Sequence, residues 1–505
     1  MSSPTGSPGR AACSALNATR RARELDALAS TDGTVDVLVI GGGVTGAGVA
    51  LDAASRGLSV VLAEAHDLAF GTSRWSSKLV HGGLRYLASG DLTVASESAR
   101  ERHLLMTRIA PHLTRALPQL LPYIPAVSAR QRTVMRLGLT MGDGLRRWAG
   151  TPAAVLRPPR RVARHEALRL IPALRREGLA GGMVGYDGQL DDDARLVVGI
   201  ARTAAAHGAI VLTRMRASEV SGDGAVLHDE LGGGSLRLRA RAVVNATGVW
   251  ASEIDPAIRL RPSRGTHLVL DAATLGNPVA ALTVPHPGSI SRFVFALPQG
   301  LGRVLVGLTD EHAPGPVPDV PEPSEGEIAF LLDTVSQALE VPLTRSDVRG
   351  VFAGLRPLLD TESGSEGATA DLSRRHHVAV GDSGIVNVLG GKLTTYRAMA
   401  QDAIDLACRH AGLPDPGCVT ERLRLIGAAR IEAEDLLLDR ACAAEQIADG
   451  IGVTRGAVAR AVLFEGALDA DDVLDRRTRI GLVREDRERA EPVVAQIIAE
   501  LGTQR

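Results

Sequence analysis

The sequence predicts an α/β fold with α+β insertions: a Rossmann-like dinucleotide-binding domain, an antiparallel-sheet domain and a C-terminal helical domain. Three observations carry this. An apolar strand, Val35 to Ile40, runs directly into GGGVTGAG at Gly41 to Gly48 and an alanine-rich helical stretch. Short strand-like segments separated by Gly-rich turns follow between Ile210 and Leu308. After about Thr420 the chain becomes charged and alanine-rich.

At 505 residues the chain has room for two or three domains and a large core. With 45% hydrophobic residues, 23% charged residues and a formal net charge of -1, it implies neither nucleic acid nor a strongly anionic partner. Cys13, Cys408, Cys418 and Cys442 lie too far apart for a disulfide framework and show no close Cys/His spacing, so no metal is expected and a reducing cytoplasm is the simplest compartment. Residues 1–32 read as a flexible leader without the apolar segment of a secretory signal, with a short helix around Arg20 to Leu28. No uncharged apolar run approaches the roughly 20 residues of a membrane-spanning helix, so any membrane contact would be peripheral.

The βαβ unit is complete. Gly41 permits the tight turn, Gly43 lets a pyrophosphate approach the backbone, and Gly46 lets helix and strand pack closely. The second strand, Leu58 to Ala63, ends at Glu64, an acid placed to bond ribose hydroxyls, which argues against a 2′-phosphate and hence NADP. The next segment is no further βα unit but a polar loop, His66 to Leu87, which suits an extended FAD more than NAD. Strand-like alternation returns at Ile210 to Leu212, Ala225 to His228 and Leu236 to Leu238, and a strand at Ala242 to Val244 opens into Asn245, Ala246, Thr247 and Gly248, small residues that let backbone approach a cofactor.

Thr266 to Leu270, Arg292 to Leu297 and Val304 to Leu308 predict an antiparallel substrate wall, with an amphipathic helix over Glu325 to Glu340. Val378 to Leu389 reads as a strand opening into a Gly-rich turn and a helix. The predicted organisation is a leader (1–32), a flavoprotein region (33–420) and a helical domain (421–505). Within the flavoprotein region, the FAD-binding parts fall at about 33–110, 185–255 and 345–410, and the substrate segments at about 111–184 and 256–344. Arg130 to Trp148 mixes arginines with Val, Met, Leu and Trp; it reads equally as an interfacial helix on lipid or as a solvated helix packed by its Leu and Met face.

The 57 basic residues include only two lysines, Lys78 and Lys392, in the similar contexts SSKL and GGKL. In a chain so biased toward arginine, a retained lysine marks a place where a compact ammonium is needed.

These residues together resemble the bacterial and mitochondrial FAD-dependent glycerol-3-phosphate dehydrogenases and the related glycerol-3-phosphate oxidases. The matching segments, in family order, are VDVLVIGGGVTGAG, SSKLVHGGLRYL, DDDARLV at Asp191 to Val197, VVNATGVW, RGTHLVL at Arg264 to Leu270, GLTD at Gly307 to Asp310, AGLRPL at Ala353 to Leu358 and GGKLTTYR at Gly390 to Arg397. One departure is Leu308, where the family usually has Thr. The resemblance implies a Rossmann-like FAD-binding domain, FAD as cofactor, sn-glycerol 3-phosphate as substrate and a membrane quinone as acceptor. It places the protein in the cytoplasm, peripheral on the inner face of the cell membrane against anionic lipid, and leaves a homodimer open. Arg85 and Arg356 are then expected at the flavin face, gripping phosphate or orienting the hydroxyl. His81 is the first choice for proton acceptor and His267 the second. Lys392, after two glycines at a helix start, would stabilise the negative charge of reduced flavin and reach substrate phosphate, and Tyr86 and Thr394 would donate hydroxyl hydrogen bonds to substrate. The cofactor set comprises Gly41, Gly43, Gly46, Glu64, Thr72, Ser73, Ser76, Lys78, Leu79, Gly83, Ala246, Thr247, Gly248, Asp310, Gly391, Leu393 and Thr394. The alternatives are an oxidase using oxygen, although no spare central insertion is present, and a non-catalytic flavin-binding subunit, against which the joint presence of His81, Arg85, Arg356 and Lys392 argues. Amine and amino-acid oxidases lack the HGGLRYL and GGKLTTY pair.

Overall fold

The computed structural model describes residues 14–30, 33–83, 91–286, 292–360, 375–427 and 444–503. Strand Thr34–Ile40 lies inside an eight-stranded sheet, paired in parallel with Ser235–Asn245 on one side and Val60–Ala63 on the other. Alternate residues of a strand face opposite sides, and here they feed two cores. Val37 and Val39 pack with helices Val44–Ser55, Asp193–Ala206 and Tyr396–Ala411, while Leu38 and Ile40 join Leu28, Met215 and Leu227 beneath the other face. A parallel strand covered on both faces reads as a continuous apolar run, which is why VLVI was legible.

Several expected boundaries shift. Leu236 to Leu238 and Ala242 to Val244 belong to one strand, Ser235–Asn245. Val378 to Leu389 is not one strand but an antiparallel hairpin, His377–Val380 with Val386–Leu389. Its turn reverses at Gly384, whose φ of +80° favours glycine. The covering helix over the second sheet ends at Ser336 rather than Glu340.

The second sheet has ten strands and is mostly antiparallel. Strand Ser263–Asp271 lies between Arg303–Gly307 and Val348–Arg356, so His267 sits directly across from Gly307 and from Phe352. The segment 345–410, expected among the FAD-binding parts, therefore begins in this second sheet. Gly182–Leu190 and the short strand Leu79–Val80 pair there as well. Sheet membership follows cross-strand register, which sequence order does not reveal.

Residues 14–30 are not a floppy leader. Leu16 pairs with Glu465 as an isolated bridge, the Asn17 amide donates to the Leu463 carbonyl at 2.9 Å, and Asn17 caps helix Ala18–Ala29. Arg21 pairs with Asp229 at 2.5 Å, so this helix covers the lower face of the first sheet. The C-terminal unit has its own apolar core around helices Arg455–Phe464 and Arg484–Thr503, but it also carries a hairpin, Gln446–Ala448 with Ile451–Thr454, that the helical expectation missed.

This unit grips the polar loop after Glu64. Asp67, fully buried, accepts two hydrogen bonds from Arg477 at 2.8 and 2.9 Å and one from Arg476 at 2.6 Å. Burial alone would raise the Asp67 carboxyl, but Arg477 and Arg476 hold it well below the usual carboxylate range. A carboxylate depressed in the folded state contributes stability above its unfolded pKa of about 3.9, and that stability is lost as pH falls through the folded value. Arg477→Met should therefore destabilise the protein by about 3 kcal/mol at neutral pH, because a buried charge loses its bidentate partner. In urea unfolding the difference from wild type should narrow steadily below about pH 4. A constant difference down to pH 2 would contradict this assignment.

Candidate active site

A cavity of about 810 Å3 is lined from both sheets, by Gly41, Gly43, Glu64 and Thr247 on one side and by Leu308, Thr309, Asp310 and Arg356 on the other. Its glycine-rich wall follows from close contacts. A Cβ on Gly46 would lie 1.9 Å from the Gly41 carbonyl oxygen, so only glycine lets the helix start this near the strand. Gly41 itself has φ +106° and packs against the Ala246 carbonyl. Helix Val44–Ser55 has Gly43 as N-cap, hence no capping side chain, and no acidic residue in its first turn. The Ser73 hydroxyl takes the Val44 amide at 2.9 Å. This amino terminus suits an anion.

Glu64 follows strand Val60–Ala63. One carboxylate oxygen accepts the Gly42 amide at 2.5 Å and the other accepts the His66 amide at 2.8 Å. Burial raises its pKa while these two amides favour the charged form. Each oxygen keeps a further lone pair, and Glu64 faces the cavity, so it can take ribose hydroxyls. Opposite, the Thr247 hydroxyl donates to Asn245 at 2.7 Å, Asn245 donates to Asn387 at 2.9 Å, and Asn387 donates to Asp255 at 2.7 Å. This buried chain ties the strand ends together and sets the backbone at Ala246 and Gly248. The glycines, the acid and a helix terminus with no acidic residue in its first turn fit a dinucleotide such as FAD.

Arg356 ends strand Val348–Arg356 and lines the cavity. Its guanidinium donates to Ser263 at 3.1 Å, to Asp310 at 3.2 Å and to the Thr309 carbonyl at 3.1 Å. Asp310, expected at the cofactor, thus pairs with Arg356. Thr309 is held in turn by buried Glu327, which accepts its hydroxyl at 2.7 Å. Lys392 caps the 3-10 turn Leu393–Thr395, lines the cavity and donates to the Ser98 hydroxyl at 2.6 Å. His81 follows strand Leu79–Val80. The next amide, Gly82, donates to Asp187 at 3.1 Å, and Asp187 pairs with Arg102 at 2.6 Å, so a buried ion pair fixes the chain beside His81.

Of the remaining expected residues, Thr72, Ser76, Leu79, Gly391, Leu393 and Thr394 also line the cavity. Arg85 and Tyr86 lie outside the described residues, and Gly83 is described but does not line the cavity. Two assignments change. Lys78 turns inward and pairs with buried Asp193 at 2.9 Å, so its ammonium serves the protein interior rather than the cofactor. His267 is fully buried behind Ser77 and does not line the cavity, and burial together with Lys78 and Arg356 pushes its pKa down to about 3. Sequence reading missed Ser77 and Asp187, both on the cavity wall. Ser77 was within reach of it: residues 77, 79 and 81 face the cavity while Lys78 and Val80 are buried on the other side.

Residues 36–397 match the FAD dependent oxidoreductase family. Glycerol-3-phosphate dehydrogenase 1 of Mycobacterium tuberculosis is 54% identical over 96% of this chain and 98% of its own. The glycerol-3-phosphate dehydrogenase of Mycobacterium leprae is 38% identical over 88% of this chain and 81% of its own. Among solved structures, the glycerol-3-phosphate dehydrogenase of Bacillus halodurans complexed with FAD covers 96% of this chain and 97% of its own, with a TM-score of 0.68 at 26% identity. The chain belongs to the FAD-dependent oxidoreductases and, within them, to the glycerol-3-phosphate dehydrogenase family.

Two glycines of the fingerprint separate folding from cofactor binding. Gly46→Ala should cost about 3 kcal/mol of stability, because its methyl collides with backbone. A Cβ on Gly43 meets only the Ser73 hydroxyl, at 3.1 Å. Gly43→Val should therefore leave urea unfolding of the FAD-free protein within about 1 kcal/mol of wild type while flavin content on purification collapses. Full flavin content in Gly43→Val would refute the close approach.

Proposed function

We propose that the protein oxidises sn-glycerol 3-phosphate at C2 to dihydroxyacetone phosphate and passes the electrons to a membrane quinone. The observation that carries this reading is the convergence of Arg356, Lys392 and His81 on the cavity that the dinucleotide fingerprint also lines. FAD, when bound, supplies the hydride acceptor. Arg356, oriented by Asp310, Ser263 and the Thr309 carbonyl, lies on the cavity wall, where a planar guanidinium can meet phosphate or hydroxyl oxygens. His81 takes the hydroxyl proton, with its backbone steadied through Gly82 and Asp187. Lys392 brings a positive charge to the same wall, where it favours negative charge developing nearby.

Membrane contact is assigned to helix Ala129–Trp148. Val134, Met135, Gly138 and Leu139 on one side line the cavity. Leu137, Met141 and Trp148 on the other side are 61%, 41% and 65% exposed, beside exposed Arg136 and Arg147. An apolar stripe flanked by arginines suits an anionic lipid surface, and the same helix would bring a quinone near the cavity. No helix among the described residues is long and apolar enough to cross a membrane.

Anaerobic mixing with glycerol 3-phosphate should bleach the flavin absorbance; no bleaching would reject the activity, and stoichiometric peroxide in air would point to an oxidase instead. Lys392→Met should retain FAD, reduce about ten- to a hundredfold more slowly and show a lowered flavin potential, since a charge-assisted contact is worth roughly 1.5 to 3 kcal/mol. Arg356→Met should raise the substrate concentration required as well as slow the step. Binding to anionic vesicles should fall with salt, each surface arginine contributing about 1 kcal/mol. Salt-independent partition would count against electrostatic docking.

A further inference from the structure

Between the antiparallel sheet and helix Glu325–Ser336 the chain makes a closed loop whose two ends are tied to one carboxylate. At its start, the Thr309 hydroxyl donates to Glu327 at 2.7 Å, the short strand Glu311–His312 pairs with Arg264 and Ser263, and the Ala313 amide donates to the Pro262 carbonyl at 3.0 Å. At its end, the other Glu327 oxygen accepts the Ser324 amide at 3.1 Å and the Ser324 hydroxyl at 2.9 Å. The thirteen residues from 311 to 323 lie between these ties, which is the size of a compact surface loop with adjoining ends.

Five of the thirteen are proline: Pro314, Pro316, Pro318, Pro321 and Pro323. Each ring locks φ at about −65°, so this strap has little freedom left to lose when it is held in one place. Gly315, with φ +100°, supplies its bend. From Pro314 to Val320 every residue is exposed except Val317, which is half-buried. Val317 and Asp319 line the cavity, as do Thr309 and Asp310 at the base of the same strap.

The tip lands far from its base. The Asp319 carboxylate lies 4.0 Å from His66 Nε2, and the His66 amide donates to Glu64 at 2.8 Å. The His66 ring stacks on Phe70 with centroids 3.9 Å apart, and both rings line the cavity. The tip therefore stands at the Glu64 end, where the acid of the dinucleotide fingerprint takes the adenosine ribose. An apolar side chain turned onto that wall from an otherwise exposed strap gains by covering a bound ligand.

We propose that the strap 311–323 closes over the adenosine end of FAD, with Val317 as its contact, and sets how slowly the cofactor leaves. The proposal rests on the cofactor alone and not on the substrate. Glu327 joins the two ends of the cavity, because the carboxylate that closes the strap also holds Thr309, whose carbonyl orients Arg356.

The test uses the FAD-loaded enzyme, diluted so that the rise in flavin fluorescence gives the rate of FAD release. Val317→Ser should speed release by roughly three- to tenfold through the lost apolar contact. The double variant Pro316→Gly/Pro318→Gly should speed it by roughly the same factor, because a freer strap costs more to hold closed. Val320→Ser, on the same strap but 50% exposed and off the cavity wall, should release FAD at the wild-type rate. The visible circular dichroism of the bound flavin should match the wild type in all three. Wild-type release in Val317→Ser would overturn the proposal, and so would equal acceleration in Val320→Ser. An altered flavin dichroism in Val317→Ser would also overturn it, by placing the tip at the isoalloxazine end.

Discussion

A charged loop has to be buried between two sheets, and each of its ionised groups needs a counter-charge from elsewhere in the chain. The segment from Glu64 to Gly83 leaves the parallel sheet, lines the cavity and enters the antiparallel sheet at Leu79. Asp67 is neutralised by Arg476 and Arg477, Lys78 by Asp193, and the backbone beside His81 is held through Asp187 and Arg102. Arg74 donates to the Phe70 carbonyl at 2.8 Å, pairs with Asp475 at 3.6 Å and lies over the rings of Phe70 and Trp75, at 5.0 and 4.3 Å; burial and neighbouring Arg476 push its pKa down to about 9. Breaking such pairs strands a charge in a poorly hydrated interior. The loop that shapes the cavity is thus held in place by elements hundreds of residues away.

This constraint gives the C-terminal unit a purpose beyond packing. Its Arg476 and Arg477 reach beneath the loop, Arg479 donates to the Arg74 carbonyl at 2.8 Å, and the ordered stretch from Ser14 to Ser30 bridges this unit to the first sheet. Arginine suits these sites because its planar fork satisfies a carboxylate bidentately while stacking on rings. The two lysines divide the remaining work. Lys78 lies in a tight interior position at φ +56°, bonded to Asp193, whereas Lys392 opens a helix on the cavity wall. A retained lysine marked a special position in both cases, but the context SSKL did not say which side of the wall its ammonium would take.

The cavity also shows how small residues build a site. Gly41, Gly43 and Gly46 bring the helix terminus to the wall. Gly265 admits a guanidinium and Gly307 admits an imidazole. Removing side chains at these points leaves room for the functional groups that neighbours provide.

The sequence by itself determined the βαβ unit, the cofactor class and the glycine-rich part of the cavity wall, because these depend on local patterns: an apolar run, glycines at fixed offsets and an acid at the next strand end. Glu64 and Thr247 sit inside such patterns, Lys392 follows a pair of glycines, and Arg356 was expected only from the resemblance to a known family; all four reach the cavity. What only the tertiary structure decided depends on register and on long-range charge pairing. Sequence order could not show that Val348–Arg356 would pair with Ser263–Asp271 and so seat His267 between Phe352 and Gly307. Nor could it show that residues 14–30 would dock, or that Asp67 would find Arg477 across 410 positions. The side that a histidine or lysine faces is set by which strand lies beside it and which charge lies within reach, and both are properties of the folded chain.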